Sequence, residues 1–223
     1  MRWNVSSFSD CQLYVIIDRP TCGRRDPADV AAAAIRGGAD VLQFRDKTAS
    51  DGVFLQQAER VLSVTRRAGI PLIINDRVEI ACAVGADGVH LGQDDLPLAA
   101  ARRVLGSSAL IGRSTHSLEQ ACAAEAEGAD YIGCGPIFPT PTKPDYGHVG
   151  TELIGQLMQA VRIPVVCIGG IDAGTLESVL RAGAARVAVV RAVVAQSDVR
   201  EAARRLKEML KVKSQIKFKE EFY

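Results

Sequence analysis

The chain has 223 residues, of which 48% are hydrophobic and 24% charged, and its formal net charge is +1. That length and composition suit one large α/β domain or two small ones, with enough apolar content to bury a core without disulfides. The near-zero charge excludes the electrostatic footprint of a nucleic-acid or anionic-membrane binder, and no apolar run approaches the length of a membrane span. The opening MRWNVSSFSDCQ lacks the apolar stretch of a signal peptide. Six cysteines, at 11, 22, 82, 122, 134 and 167, form no CxxC pair and mostly sit in apolar contexts such as IACAVG and VVCIGG. They read as buried free thiols, and the chain as cytoplasmic.

Short β-prone runs recur along the chain: LYVIID (13–18), VLQFRD (41–46), LIIND (72–76), GVHLGQ (88–93), ALIGRS (109–114), YIGCGPI (131–137), PVVCIGG (164–170) and RVAVVRA (186–192). Amphipathic, often Ala-rich segments separate them, clearest in FLQQAERVLSVTRRAG and LEQACAAEAEGA, and DVREAARRLKEML follows the last. Strands alternating with helices predict a parallel sheet with right-handed crossovers. A sequence echo precedes every second strand: GGAD (37–40), GADG (85–88), GADY (128–131) and GAAR (183–186). Glycine suits the end of a helix, where φ is often positive. A repeat every second βα unit fits a barrel grown from βαβα quarters, so the expected fold is a single-domain TIM (β/α)8 barrel over residues 1–223. The barrel itself spans about 12–210, and the charged, aperiodic tail KVKSQIKFKEEFY (211–223) reads as a solvated or frayed end.

In such a barrel the active face lies at the C-terminal ends of the strands. Polar residues crowd those ends: Gln43, Arg45 and Lys47; Asn75 and Asp76; Gln93, Asp94 and Asp95; Ser114, Thr115 and His116; Thr140, Thr142 and Lys143. Starts such as GIPL and RIPV are bland. In VLQFRDK, Gln43, Arg45 and Lys47 alternate with Phe44, which places Phe44 on the outward, helix-packed face. Asp76 and Asp95 on neighbouring strands suit a magnesium ion, which takes oxygen ligands and keeps water or phosphate oxygens in its shell. Arg45, Lys47 and Lys143 add the positive charge a diphosphate needs. Gly169, Gly170, Val190 and Arg191 fit a second phosphate site near the last two strands. Structural alternatives stand beside these: Asp76 and Asp95 as helix caps, Gly169–Gly170 as a plain turn, His90 as a barrel-interior residue, and His116 as either a helix start or a site residue. Accidents of surface polarity, however, should not collect on one end of eight strands.

The motifs LQFRDK, IINDR, GVHLGQDDL, IGRSTHS, YIGCGPIFPTPTK and CIGGI, in this order over about residues 12–210, resemble the thiamine phosphate synthase family. The resemblance implies a transferase of thiamine biosynthesis. It would join 4-amino-2-methyl-5-(diphosphooxymethyl)pyrimidine to a thiazole phosphate, giving thiamine phosphate and pyrophosphate. It implies magnesium on Asp76 and Asp95, and it counts Gln43, Phe44, Arg45, Asp46, Lys47 and Asn75 in the segment that binds the pyrimidine diphosphate. Ser114 and Lys143 would contact the diphosphate or pyrimidine. Thr140, Pro141, Thr142 and Gly170 would meet the thiazole phosphate, with the backbone at Val190. Arg191 stands where the family often has Ser, so that a guanidinium either substitutes for the hydroxyl contact or points elsewhere. Arg45, Lys47 and Lys143 would be catalytic, by stabilising the leaving pyrophosphate. Loops TPTKPDYGH and DRPTCGRRDP are the lid candidates. The alternatives are a related thiazole tautomerase, a sugar-phosphate isomerase or aldolase, and a non-catalytic barrel that binds a thiamine precursor. The presence of Asp76, Asp95 and Lys143 favours the synthase. The partners expected are the two small substrates, with neither nucleic acid nor membrane, and a homo-oligomer is left open.

Overall fold

β-branched and aliphatic residues give the strand runs their extended preference. In the computed structural model, described for residues 5–140 and 147–222, those runs pair in chain order. The strands are β1 (Leu13–Asp18), β2 (Val41–Arg45), β3 (Leu72–Asn75), β4 (Gly88–Leu91), β5 (Leu110–Thr115), β6 (Tyr131–Cys134), β7 (Val165–Ile168) and β8 (Val187–Val189). All pairs are parallel, and β8 returns to β1, so the sheet closes into an eight-stranded TIM barrel. Around it run α1 (Val5–Ser9), α2 (Arg19–Cys22), α3 (Pro27–Arg36), α4 (Asp51–Ala68), α5 (Val78–Val84), α6 (Leu98–Leu105), α7 (Leu118–Ala126), α8 (Glu152–Ala160), α9 (Leu176–Arg181), α10 (Arg191–Val194) and α11 (Val199–Phe222).

The period of two sorts each strand into two faces. Outward residues such as Leu42, Phe44, Leu72, Ile74, Ile132 and Val187 join the helices in one large core. Inward residues Tyr14, Ile16, Val41, Ile73, Leu110, Tyr131, Val166 and Ala188 form a second cluster inside the barrel. Phe8 of α1 belongs to that inner cluster and stacks on Tyr131 with ring centroids 4.4 Å apart, so α1 plugs the end where the strands begin. Tyr131 needs room: a Cβ on Gly112 would lie 2.1 Å from its ring, which is why β5 carries a glycine there.

The four-fold echo has a mechanical basis. Asp40 accepts the backbone N–H groups of Gln12 and Leu13 at 2.8 Å. Asp87 accepts that of Leu72 at 2.9 Å, and Asp130 that of Ile111 at 2.7 Å. Each aspartate thus satisfies the backbone at the start of the preceding odd-numbered strand. In the fourth copy Arg186 takes the position and donates to the carbonyl of Ser9, tying β8 to the α1 plug.

The charged tail is helical where it is described: α11 continues to Phe222, because residues 199–222 contain neither Gly nor Pro and are rich in helix-favouring Glu, Lys, Arg, Leu and Met. One expectation needs correction: not all the cysteines are buried. All six are free, but Cys82 on α5 and Cys122 on α7 are exposed. No helix among the described residues is long and apolar enough to cross a membrane.

Candidate active site

A cavity of about 820 Å³ opens at the C-terminal ends of the strands. It is lined by inward residues that follow the apolar layer, Gln43, Arg45, Asn75, His90 and Ser114, and by Tyr131 of that layer itself. The change from apolar to polar along one strand face resolves the oddity of VLQFRDK, whose Gln43 and Arg45 share the inward face with the buried Val41.

The polar lining is internally bonded. Gln43 Nε2 donates to the Tyr14 hydroxyl at 2.8 Å, and the Tyr14 and Tyr131 hydroxyls lie 3.2 Å apart. Tyr131 meets His90 Nδ1 at 3.1 Å, and His90 Nε2 meets Ser114 Oγ at 2.9 Å. Burial pushes both tyrosine pKa values upward, so both stay protonated. Arg45 is ion-paired with Asp18, whose side chain is 5% exposed and also accepts from Thr21 Oγ1 at 2.7 Å. Asp18 therefore anchors the guanidinium at the cavity wall.

A carboxylate pair lies just beyond Arg45 and Asn75. Asp76 forms a salt bridge with Lys47 at 3.3 Å and has a φ of 62°, a conformation unusual outside glycine. Burial raises its pKa, and the adjoining Asp95 carboxyl, within hydrogen-bonding reach, raises it further against the opposing charge of Lys47. Asp95 accepts the Gly92 N–H at 2.6 Å. Two neighbouring carboxylates that disfavour each other's charge suit a hard divalent cation. Among the described residues no cluster of three or more His, Cys, Asp and Glu could enclose a metal, so such an ion would complete its shell with water or substrate oxygens.

The loops carrying these groups are held from the outward side. Arg77 donates to the carbonyls of Asp46 and Ala49 at 3.2 and 2.7 Å, pairs with Asp51 at 2.7 Å and sits 4.5 Å over the Phe54 ring. It thereby fixes the loop that carries Lys47. Arg113, 9% exposed, donates to the Gln93 and Leu96 carbonyls at 3.1 and 3.5 Å and fixes the loop that carries Asp95.

At the far side, Gly169 and Gly170 have φ of 98° and 64°. Cβ atoms there would meet Pro136 and Phe138 at 2.4 and 2.6 Å, so close approach of the β6 and β7 loops demands glycine as much as the turn does. Val190 and Arg191 complete this wall, and Gln196 and Arg205 extend it toward α11.

Of the residues singled out from sequence, Gln43, Arg45, Asn75, Ser114, Thr140, Gly170, Val190 and Arg191 line the cavity. Lys47, Asp76 and Asp95 lie beside one another at its edge. Phe44 and Asp46 are corrected: neither lines the cavity. Phe44 points outward against Phe54, with ring centroids 4.7 Å apart. Asp46 turns back to cap its own loop, accepting from Thr48 N at 2.9 Å and Ala49 N at 3.0 Å, which hold its pKa down. Pro141, Thr142 and Lys143, with most of the loop TPTKPDYGH, lie outside the described residues. His90 is interior, as expected, yet it also faces the cavity and bonds Ser114. Sequence reasoning missed Tyr14, Tyr131 and Asp18, although their inward positions in the same alternation were a usable signal.

This is an enzyme of the (β/α)8-barrel class, with a cationic, carboxylate-edged site at the strand ends. The family model for thiamine monophosphate synthase matches residues 13–193. The thiamine-phosphate synthase of Chloroflexus aurantiacus is 48% identical over 210 residues, covering 94% of this chain and 97% of that protein. That of Shouchella clausii is 45% identical over 196 residues, covering 87% and 94%. The solved thiamine phosphate pyrophosphorylase from Pyrococcus furiosus superposes with a TM-score of 0.84 at 35% identity, covering 92% of this chain and 98% of that one. The chain belongs to the thiamine monophosphate synthase family.

Proposed function

We infer that this chain condenses a pyrimidine diphosphate with a thiazole phosphate to give thiamine phosphate and pyrophosphate. What carries the reading, beside family membership, is the convergence of Gln43, Arg45, Asn75 and Ser114 on one cavity, with Lys47, Asp76 and Asp95 at its edge. The bond formed joins the thiazole nitrogen to the exocyclic methylene of the pyrimidine, and the bond broken releases pyrophosphate. No protein nucleophile is required. The protein's task is to stabilise the negative charge that grows on the leaving group, and fixed cations do this best in a site shielded from water. Arg45, held by Asp18, and Lys47 supply that charge here, and Lys143 adds to it by the family resemblance. Gln43 hydrogen-bonds the aminopyrimidine, and Ser114 and Asn75 orient it. Thr140, Pro141 and Thr142 meet the thiazole phosphate together with Gly170 and the Val190 backbone. Asp76 and Asp95 would hold magnesium, which when bound neutralises diphosphate oxygens and so improves the leaving group.

The test combines both half-substrates with magnesium and follows thiamine phosphate and pyrophosphate. Formation of both in equal amounts is expected, and Lys143→Ala should abolish most of it while leaving the melting temperature unchanged. Absence of product, or pyrimidine diphosphate binding that ignores magnesium in a calorimetric titration, would overturn the assignment.

A further inference from the structure

Gln43, Tyr14, Tyr131, His90 and Ser114 come from β2, β1, β6, β4 and β5, and they form one hydrogen-bonded chain across the barrel. Its two ends, Gln43 and Ser114, both line the cavity. The proton inventory gives this chain a direction. Gln43 Nε2 donates to Tyr14, so the Tyr14 hydroxyl accepts there and has its own proton to place. The Tyr131 oxygen at 3.2 Å takes that proton. Tyr131 in turn donates to His90 Nδ1, which leaves the imidazole proton on Nε2, and Nε2–H donates to Ser114 Oγ. Were the Tyr131–Tyr14 link reversed, the Tyr14 hydroxyl would accept twice and hold a buried proton with no acceptor among the described residues. The sense of the chain therefore reaches the cavity at both ends. Gln43 lines the cavity, and with Nε2 engaged by Tyr14 its Oε1 is the acceptor it offers there. Ser114, with its oxygen already engaged by His90, keeps its own proton to donate.

We infer that Tyr14, Tyr131 and His90 are positioning residues that set the hydrogen-bond polarity of the cavity floor, so that it selects a ring offering an amino donor and a ring-nitrogen acceptor over one of the opposite polarity. This rests on the pyrimidine reading above and deepens it: the relay acts through Gln43 and Ser114, and no member of the relay need touch the reacting atoms. Its occupant is a 4-aminopyrimidine. A 4-oxopyrimidine of the same shape presents an acceptor and an N–H in the reverse order, and is refused because both floor groups would face their own kind. The device also accounts for Gly112, whose missing side chain leaves the space in which the Tyr131 ring reaches both Tyr14 and His90.

The experiment is a calorimetric titration of the 4-amino pyrimidine diphosphate and its 4-oxo analogue, with magnesium, into the wild-type protein and into Tyr131→Phe and Tyr14→Phe. Each variant keeps its ring and removes a hydroxyl that makes two of the chain's links, freeing Gln43 or Ser114 to turn. The preference for the amino ring should fall about tenfold in each, since one hydrogen bond of roughly this strength separates the two senses. The KM for the thiazole phosphate should not move, whereas a merely structural loss would shift both substrates together. Nitrogen-15 NMR of the ligand-free protein should find His90 neutral and protonated at Nε2. An unchanged amino-to-oxo ratio in both folded variants, or a His90 protonated at Nδ1, overturns the inference. If the wild type binds neither pyrimidine, the substrate reading fails, and the His90 tautomer still decides the relay.

Discussion

Replacing Asp76 with Asn should stabilise the metal-free protein while removing its response to magnesium. Asp76 is half-buried, adjoins Asp95, and is compensated among the described residues by Lys47, whose side chain is 56% exposed at 3.3 Å. An ion pair that open is worth about 0.5 kcal/mol. Two unit charges 4 Å apart repel by about 1 kcal/mol in water and about 4 kcal/mol at an effective dielectric of 20, so the partly exposed carboxylate pair costs roughly 1.5 to 2 kcal/mol. The substitution removes both effects, and Asn accepts the positive φ of 62° as readily as Asp, so no backbone strain is added. The net gain of about 1 kcal/mol corresponds to roughly 2–4 °C in melting temperature for a chain of this size. The pH dependence follows from the raised pKa of Asp76 in the folded state. Its charged form penalises folding above that pKa, and the penalty fades as pH falls through it toward the unfolded value. The advantage of Asp76→Asn should therefore be full at neutral pH and vanish in acid. Magnesium should reverse the order by raising the wild-type melting temperature through binding to the native state alone, and leaving the variant unmoved. Thermal melts from pH 4 to 8, with and without magnesium, measure all of this. A variant less stable than the wild type at neutral pH without metal would refute the reasoning, since the Lys47 bridge would then outweigh the repulsion.

Arg45→Gln should lower diphosphate affinity by an order of magnitude or more in titration. It should also cost on the order of 3 kcal/mol in denaturant unfolding, because it strands the Asp18 carboxylate, and adding Asp18→Asn should recover the stability without the affinity. Phe44→Ala should do the reverse, losing about 3–5 kcal/mol of stability through the cavity left against Phe54, while KM values measured below the melting temperature stay near wild type. Gly112→Ala should depress the melting temperature and the pyrimidine affinity together, since its Cβ would displace Tyr131. Arg113→Met should weaken manganese binding, read by electron paramagnetic resonance, by releasing the Gln93–Leu96 loop that carries Asp95; free guanidinium should partly restore it.

The barrel was legible because two periodicities coincide in the sequence. The strand period of two and the Gly-Ala-Asp echo both state a parallel sheet of repeated units, and the echo proved to be aspartates bonding strand starts. The polar end of the barrel was legible for the same reason, since inward positions change from apolar to polar along β2, β3 and β5. Partnerships across the barrel were not. Nothing near Tyr14 in the chain points to Tyr131, which lies 117 residues away and meets it only once the sheet has closed. Phe44 and Asp46 entered the expected site because a whole segment was carried over by resemblance, although alternation alone already sent Phe44 outward. The helical continuation of the tail was not legible as a face pattern, because its charges follow none, whereas helix continuation needs only good helix formers and no breaker.

The two faces of each strand end divide the work of the site. Inward residues such as Asn75 and Ser114 line the cavity, while the outward Arg113 and the neighbouring Arg77 hold the loops of the preceding units. Loops are the mobile part of a barrel, and a cation on a loose loop would lose much of its value in a charge-stabilising reaction, which depends on groups that need no reorganisation. A guanidinium suits this role better than an ammonium, because its fixed fork bonds two carbonyls at once. It also keeps a charge off the cavity side, where another cation would compete with Arg45 and Lys47 for the same diphosphate. The motifs IINDR and IGRSTHS therefore encode support as well as contact: Arg77 follows the carboxylate that would hold the metal, and Arg113 precedes the hydroxyl that would orient the ring.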